Sequence, residues 1–536
     1  MTRLHRVSTA AAALALACAS ASAAGAQTDV PRTRAEASAY RETSRYDEVV
    51  AFMREVQRRA PGRIHLTTFG YTQEGRPLPL AVVGNVRDAS PQAVMASGKT
   101  RIYVQANIHA GEVEGKEAML VLLRDLAAGR HAAWADSLVL LIAPIYNADG
   151  NERVGLLNRP HQWGPVGGMG TRANAQGLDL NRDHMKLESP EARSLALLLR
   201  EYDPHVAVDL HTTNGSYHAY QLTYSPPLHP NTASAIVRIL RREWLPAITA
   251  DLRRGHGWDF YYYGNVPSEE EGNEGAGRGW YTFDHRPRFG NNYVGLRNRF
   301  AILSEAYAYL PFDQRIDVTL RFVEEIADWA HAHATEIRRA TEAADRRSVV
   351  GSRLALRATH ERSAAPVEIL MGAVDTLRNP YTGQPMLRRL DVHRPERMPE
   401  FGTFAPTETE RAPAAYLVPA SLSIVVDRLE AHGIRFRRLT RAVTLPVEEF
   451  RIDSTAVPER AFQGHRERTI YGAYVQSQRT VPAGTLVVPV DQPLGRLAFT
   501  LLEPRSDDGL ADWNLLDDAL KGAAAYPILR TSQPVP

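Results

Sequence analysis

Cysteine is nearly absent: the 536-residue chain has one, Cys18. A chain cleaved after Ala26 therefore has no thiol, which excludes disulfides, a thiolate nucleophile and cysteine metal ligands. Lysine is scarce too. Only Lys99, Lys116, Lys186 and Lys521 stand among 63 basic residues, an arginine bias that reads as genome composition and not as a phosphate-binding design. Excess positive charge is missing as well. The formal net charge is +2, too small for the counterion release that drives nucleic-acid binding. Beyond the N-terminus no apolar run is long enough to span a bilayer, and there is no internal repeat or low-complexity tract. What remains is an ordinary globular composition, 44% hydrophobic and 23% charged, in a chain long enough for two or more domains.

The N-terminus reads as an address. "MTRLHR" is basic, an apolar run follows, and "ASAAGAQ" supplies small residues, with Ala24-Gly25-Ala26 fitting an A-x-A cleavage site before Gln27. Residues 1–26 are therefore expected to be a signal peptide, and the mature protein to be exported, periplasmic or extracellular. A lipid anchor at Cys18 is the less favoured alternative, because Ala15-Leu16-Ala17 matches the bacterial lipobox poorly.

Along the mature chain, strand and helix patterns alternate. Residues 34–60 read as a leading helix, "RIHLTTFGYTQEGRPLPLAVVG" as a hairpin about Glu74-Gly75, and "TRIYVQANIH", "SLVLLIAPIYN", "HVAVDLH" and "RFAILSEAYAY" as strands. Helices are expected over 112–129, from Ser189-Pro190 onward, along "PNTASAIVRILRREWLPAITADLRR", and over 313–343. This order predicts an α/β domain over 34–345 with helices on the faces of its sheet. Residues 346–536 are expected to form a smaller α+β, partly β-rich domain, in which "AAYLVPASLSIVVDRLEAHGIRFRRLT" is a strand-helix-strand unit and "HGIRFRRLT" a solvated basic strand. The polar, Gly-rich stretch Gly264–Gly279 reads as a loop, either a lid or a surface excursion.

His-x-x-Glu occurs at His109/Glu112, His333/Glu336 and His393/Glu396, so the spacing alone decides nothing. Location does. His109 closes a predicted strand, and open α/β sheets bind ligands at that edge. His333 lies inside a charged helical pattern, and His393 in a proline-containing loop. His211 closes another strand of the same sheet. Two histidines and a glutamate on two strand edges are the donor set of a zinc site with an open position for water. His218, close to His211 in sequence, is the runner-up for the third ligand, whereas His205 starts its strand and should lie at the opposite edge. Arg172, Asn181 and Arg182 gather in a Gly-containing loop where arginines can clamp a carboxylate. Glu305 is a carboxylate inside an apolar strand, uncommon unless paired or functional.

Taken in order, these pieces resemble the zinc carboxypeptidase family, the carboxypeptidase A/B-like metallopeptidases. His109-Ala110-Gly111-Glu112 resembles its H-x-x-E, "NADG" its N-P-D-G stretch, "GLDLNRD" its G-x-D-x-N-R segment, His211 its distant ligand and Glu305 its catalytic glutamate, over roughly residues 40 to 340. The resemblance implies a mixed central sheet and one Zn2+ per chain on His109, Glu112 and His211. It further implies that Glu305 deprotonates the zinc-bound water, Arg172 stabilises the oxyanion, Asn181 and Arg182 hold the substrate's terminal carboxylate, and Asp179 orients His109. The expected partner is a peptide with a free C-terminal carboxylate, not nucleic acid. Three departures stand out. Gly111 replaces the arginine that often precedes the family's glutamate. The mobile tyrosine is either Tyr281, favoured, or Tyr293. The specificity-pocket residue has no match. Two other readings stay open: a zinc amidohydrolase of the aspartoacylase or succinylglutamate desuccinylase type, toward which "DLHTTNG" leans, and an inactive binding module. Hydrolysis of a peptidoglycan stem peptide falls within the same chemistry.

Overall fold

Period-two patterning in the apolar runs becomes an eight-stranded sheet. The computed structural model describes residues 30–267 and 277–536; the expected signal peptide, with Cys18, and positions 268–276 of the Gly-rich loop lie outside the described residues. The strands are β1 (Ile64–Tyr71), β2 (Pro77–Val83), β3 (Thr100–Ala106), β4 (Leu138–Ala143), β5 (Val206–Thr213), β6 (Leu222–Ser225), β7 (Phe260–Tyr262), the short β8 (Trp280–Tyr281) and β9 (Phe300–Tyr307). All but β8 join the main sheet in the order β1-β2-β4-β3-β5-β9-β6-β7. β4, β3, β5 and β9 run parallel, while β2 on one side and β6 on the other are antiparallel to their inner neighbours, so the sheet is mixed. The expected hairpin is present, with its turn closed by the Thr72 and Arg76 backbones and Gly75 at φ +80°.

Alternation sends the strand residues to two cores. Ile102, Val104, Ala106, Val206, Val208, Leu210, Phe300 and Ile302 face one, under the helices Tyr46–Arg59, Glu114–Ala127 and Phe312–Ala332. Tyr103 and Ala301 face the other, beneath the helices Pro190–Glu201 and Gly290–Leu296. Asp209, His211 and Glu305 have the parity of this second face. Two predicted helices are interrupted: the leading segment is split into Arg34–Ala37 and Tyr46–Arg59, and the 313–343 pattern breaks at His333 between Phe312–Ala332 and Ala334–Arg346.

Beyond residue 350 the chain is mainly antiparallel β. Ribbons such as Arg353–Glu361 with Thr403–Arg411 come first, then a six-stranded sheet containing Ala415–Val418, Leu486–Pro489 and the long pair Val443–Ala456 and Thr469–Val481. The expected strand-helix-strand unit is there, with its helix at Ser423–His432. β8 pairs in parallel with Glu400–Phe401, tying this region to the first.

The helix Glu114–Ala127 follows Glu112 directly and lies very close to the sheet. A Cβ on Gly115 would sit 2.7 Å from the Leu210 Cβ and 3.2 Å from the Ala106 Cβ. Gly115→Ala gains about 1 kcal/mol of helix propensity, but the helix must lift off two strands, an overpacking cost of about 1–3 kcal/mol. We expect a net loss, read as a lower urea midpoint at unchanged slope. A stabilised variant would mean that the helix does not press on β3 and β5 as described.

Candidate metal centre

β3 and β5 are adjacent and parallel, so their carboxyl ends emerge side by side. The chain leaving β3 turns at Asn107, in a left-handed conformation (φ +66°) that asparagine tolerates; its side-chain amide donates to the Glu112 carbonyl at 3.2 Å. The turn delivers His109 and Glu112 to the end of β5, where His211 waits. All three are buried, each about 3% exposed. Glu112 Oε1 is 3.0 Å from His109 Nδ1, Glu112 Oε2 is 2.9 Å from His211 Nδ1, and the two Nδ1 atoms are 3.2 Å apart.

The far side of each ring decides what these short contacts mean. His109 Nε2 faces Asp179 Oδ1 at 3.0 Å, and His211 Nε2 faces Asp209 Oδ2 at 2.9 Å. A carboxylate only accepts, and each ring has one on both sides; the two Nδ1 atoms are too close for both to carry protons, so the arrangement that suits a bound cation keeps each proton on Nε2, toward its aspartate, and leaves each Nδ1 a lone pair. In that tautomer two lone pairs and a carboxylate point at one another in a buried space. That is a set of ligands for a cation, and two imidazoles with one carboxylate suit zinc with a fourth position open. The ligand atoms lie within 4.8 Å of one another.

The other two His-x-x-Glu pairs do not meet this standard. His333 and Glu336 are 3.0 Å apart but each side chain is 43% exposed, and among the described residues no third ligand joins them. His393 faces Asp259, and Glu396 pairs with Arg278. His218 is packed against the Tyr307 ring at 4.0 Å instead of joining the ligands, and His205 accepts the Arg101 N–H before β5 begins. A second acidic trio, Glu467, Asp508 and Asp512, encloses a protein cation already: the Arg288 guanidinium donates to Asp508 at 2.7 Å and to Glu467.

The segment 147–182 holds the ligands from one side. The Asn147 side chain donates to the Ile108 and Arg172 carbonyls and accepts from the Gly150 N–H, so "NADG" fastens the residue before His109 to the loop. Asp149 receives the Thr72 hydroxyl at 2.7 Å and the Glu74 N–H at 2.9 Å, locking the β1–β2 turn. Gly170 lets the loop pass close: a Cβ there would lie 2.5 Å from the Gly150 carbonyl oxygen and 2.7 Å from that of Ala110. Asp179 accepts from Arg172 Nε at 2.9 Å on its second oxygen. The Asn181 carbonyl accepts from Arg182 at 2.7 Å, and its Oδ1 from the Gly290 N–H at 2.9 Å. Arg182 lies 3.9 Å over the Phe289 ring.

Three residues enter the site that sequence reading did not nominate. Asp209 is one; its signal was the i, i+2 spacing to His211, which puts both on one strand face. Arg159 is the second. It donates to Glu112 Oε1 at 2.6 Å, and its side chain runs where a Gly111 Cβ would be, 3.0 Å from Nε. The guanidinium absent at position 111 thus arrives from position 159. Tyr263 is the third, its hydroxyl accepting from Asn265 at 3.2 Å; burial and the charge of Glu305 push that hydroxyl well above the usual phenol range. Tyr281 instead stacks on Phe401 (4.0 Å) and donates to the Gly277 carbonyl, and Tyr293 is paired with His432.

Glu305 stands opposite His211 in the β5–β9 register, on the same face. Desolvation, opposed by His211 and reinforced by Glu112, pushes its carboxyl up to about 8; a cation held by the ligands would draw it back toward the ionised form. Burial acts on Glu112 as well, but His109 and Arg159 outweigh it and hold that carboxyl well below the usual range. Asp179 is likewise lowered, with His109 and its arginines overcoming burial.

The zinc carboxypeptidase family model matches residues 49–242. Carboxypeptidase 2 of Trichophyton tonsurans is 25% identical over 510 residues, covering 91% of this chain and 86% of that protein. Carboxypeptidase 2 of Trichophyton rubrum is 25% identical over 511 residues with the same coverage. Among solved structures, a metallo-carboxypeptidase from Burkholderia cenocepacia is similar at a TM-score of 0.39 and 17% identity, over 54% of this chain and 70% of that one.

His109→Ala and Glu112→Ala are each expected to lose bound zinc, while His333→Ala, with the same spacing, keeps it. Asp209→Asn should keep the site but weaken zinc by roughly 10–100-fold. Metal analysis of the purified variants and chelator competition check both. Full zinc in either ligand variant would move the site elsewhere.

Proposed function

We propose, from the premise that the chain belongs to the zinc carboxypeptidase family, that it is an exported exopeptidase that hydrolyses the last bond of a peptide with a free C-terminal carboxylate. The observation that carries this reading is the convergence of buried acceptors at His109, Glu112 and His211, with Glu305 in register beside them. Zinc, when bound there, supplies Lewis acidity toward a carbonyl oxygen and acidifies water.

The chain's own residues do the rest. Glu305 takes a proton from the attacking water and passes it to the leaving amine. Arg172 offers its guanidinium, anchored on Asp179 and 3.9 Å from Glu112, to the charge that develops on the carbonyl oxygen. Asn181 and Arg182 hold the terminal carboxylate; that end-reading clamp is what makes the enzyme an exopeptidase. Asp179 and Asp209 keep the two imidazoles in the ligating tautomer. Tyr263 adds a buried hydroxyl that feels the charge of Glu305. Tyr281 is a substrate contact only in a conformation that releases its hydrogen bond to Gly277.

A hydrolysis panel tests the proposal. One arm holds N-blocked peptides with varied C-terminal residues, the other N-acyl amino acids such as acetyl-aspartate and succinyl-glutamate. We expect the mature, zinc-loaded protein to release free C-terminal residues. Glu305→Gln should bind zinc as the wild type does and lose turnover by roughly 10²–10⁴-fold. Cleavage confined to the acyl arm would replace this reading by the amidohydrolase one, and an active Glu305→Gln would place the base elsewhere.

A further inference from the structure

The C-terminal region reaches into the site through one turn. Phe462 and His465 exchange backbone hydrogen bonds at 2.7 and 3.0 Å. Between them Gln463 has φ +51° and Gly464 φ +82°. A two-residue hairpin turn with both φ values positive favours Asn-Gly. Glycine is free of strain there, but glutamine is not among the residues that adopt a left-handed conformation readily. A glutamine therefore stands where local preference asks for asparagine.

Its side chain supplies the reason. Gln463 Oε1 accepts the Asp179 backbone N–H at 2.8 Å, across 284 residues of sequence. Asp179 is the residue whose carboxylate holds His109 Nε2, Arg172 Nε and the Asn181 N–H. One methylene less, as in asparagine, would not span that distance. The Gln463 amide nitrogen has no protein partner among the described residues, so two N–H donors remain beside the strip that carries Asn181 and Arg182. The hairpin itself is braced. His465 Nε2 meets both Glu188 oxygens at 2.9 and 3.0 Å, and Phe462 lies 5.2 Å under the guanidinium of Arg288, which Asp508 anchors.

We propose that this hairpin is a wall of the substrate cleft and that Gln463 is a positioning residue. Its carbonyl fixes the strip Asp179–Arg182, and its amide donates to the carboxylate end of the substrate. The second half rests on the carboxypeptidase reading; the contact with Asp179 does not. A strained residue kept at a site for its reach is the pattern expected where backbone cost serves function.

The test uses full-length, zinc-loaded protein and two variants. Gln463→Asn suits the turn better than the native residue, so its melting temperature should hold or rise, yet its amide falls short of Asp179. We expect its KM for N-blocked peptides to increase ~tenfold with kcat changed less. Gln463→Glu keeps an acceptor for the Asp179 N–H but sets a negative charge near the terminal carboxylate; its KM should rise further, while zinc release into a chromogenic chelator stays at the wild-type rate. A KM within twofold of wild type in both variants would overturn the proposal. Should the wild type cleave no peptide, the carboxypeptidase reading fails by itself. Zinc release then decides the Asp179 contact: faster release from Gln463→Asn than from wild type supports it, and equal rates overturn it.

Discussion

Two imidazole nitrogens face each other across 3.2 Å, each free to bind a cation when its ring keeps its proton toward the aspartate on the other side. Everything nearby follows from that opposition. A buried acceptor without a donor costs about 1–3 kcal/mol, and here two imidazole lone pairs converge on a carboxylate. A cation held there would give those lone pairs the partner they lack. The sheet makes it reproducible. β3 and β5 fix the spacing of the two turns, and β9 sets Glu305 level with His211. Behind His211 the order continues: Asp209 accepts from the Gln105 amide at 3.1 Å, and Gln105 accepts from the Tyr103 hydroxyl at 2.9 Å. The tautomer of one ligand is thus anchored two strands deep.

The long segment between β4 and β5 meets the other demand, holding a wall of loop against a buried site. Loops carry backbone groups that need partners, and buried cations supply them. Arg315, fully buried, donates to the carbonyls of Trp163, Gly164, Ala308 and Leu310. Lys116 joins the Ser44 carbonyl to the Asn151 side chain. Lys186 joins Asp183 and Glu188. In a chain with four lysines, two are wholly buried: Lys116 bridges separate segments and Lys186 braces its own loop. Their scarcity on the surface is compositional, but their places inside are structural.

What could be read from the sequence was what is local or periodic. The hairpin about Gly75, the parallel strands and the helix after Glu112 follow from alternation, turn residues and caps. His109 could be separated from His333 because one ends a strand and the other sits in a charged helix, and the structure gives the two pairs nearly equal His–Glu distances with opposite burial. What could not be read was contact across long separations. Arg159 looked like one arginine among many, and only the three-dimensional path shows that Gly111 is small because Arg159 passes over it. Gln463 lies nearly three hundred residues from its partner. The break at His333 was hidden because the helical period runs straight through it.

The same logic bears on what the C-terminal region is. The second face of the main sheet is closed by more than the helices Pro190–Glu201 and Gly290–Leu296. Leu195, Leu198, Tyr293 and Ala301 share one continuous apolar cluster with Val425, Leu429, Leu497, Leu501 and Trp513. Asp209, His211 and Glu305 stand on this face, so the apolar floor of the site is completed by residues more than a hundred positions downstream. Each such side chain contributes about 1.5–3 kcal/mol when taken from water, and a catalytic half on its own would expose them beside its ligands. A region bound that firmly behind the site can carry a turn to the front of it. The Asp179 contact of Gln463 is then the visible end of a packing arrangement that runs through the whole second face.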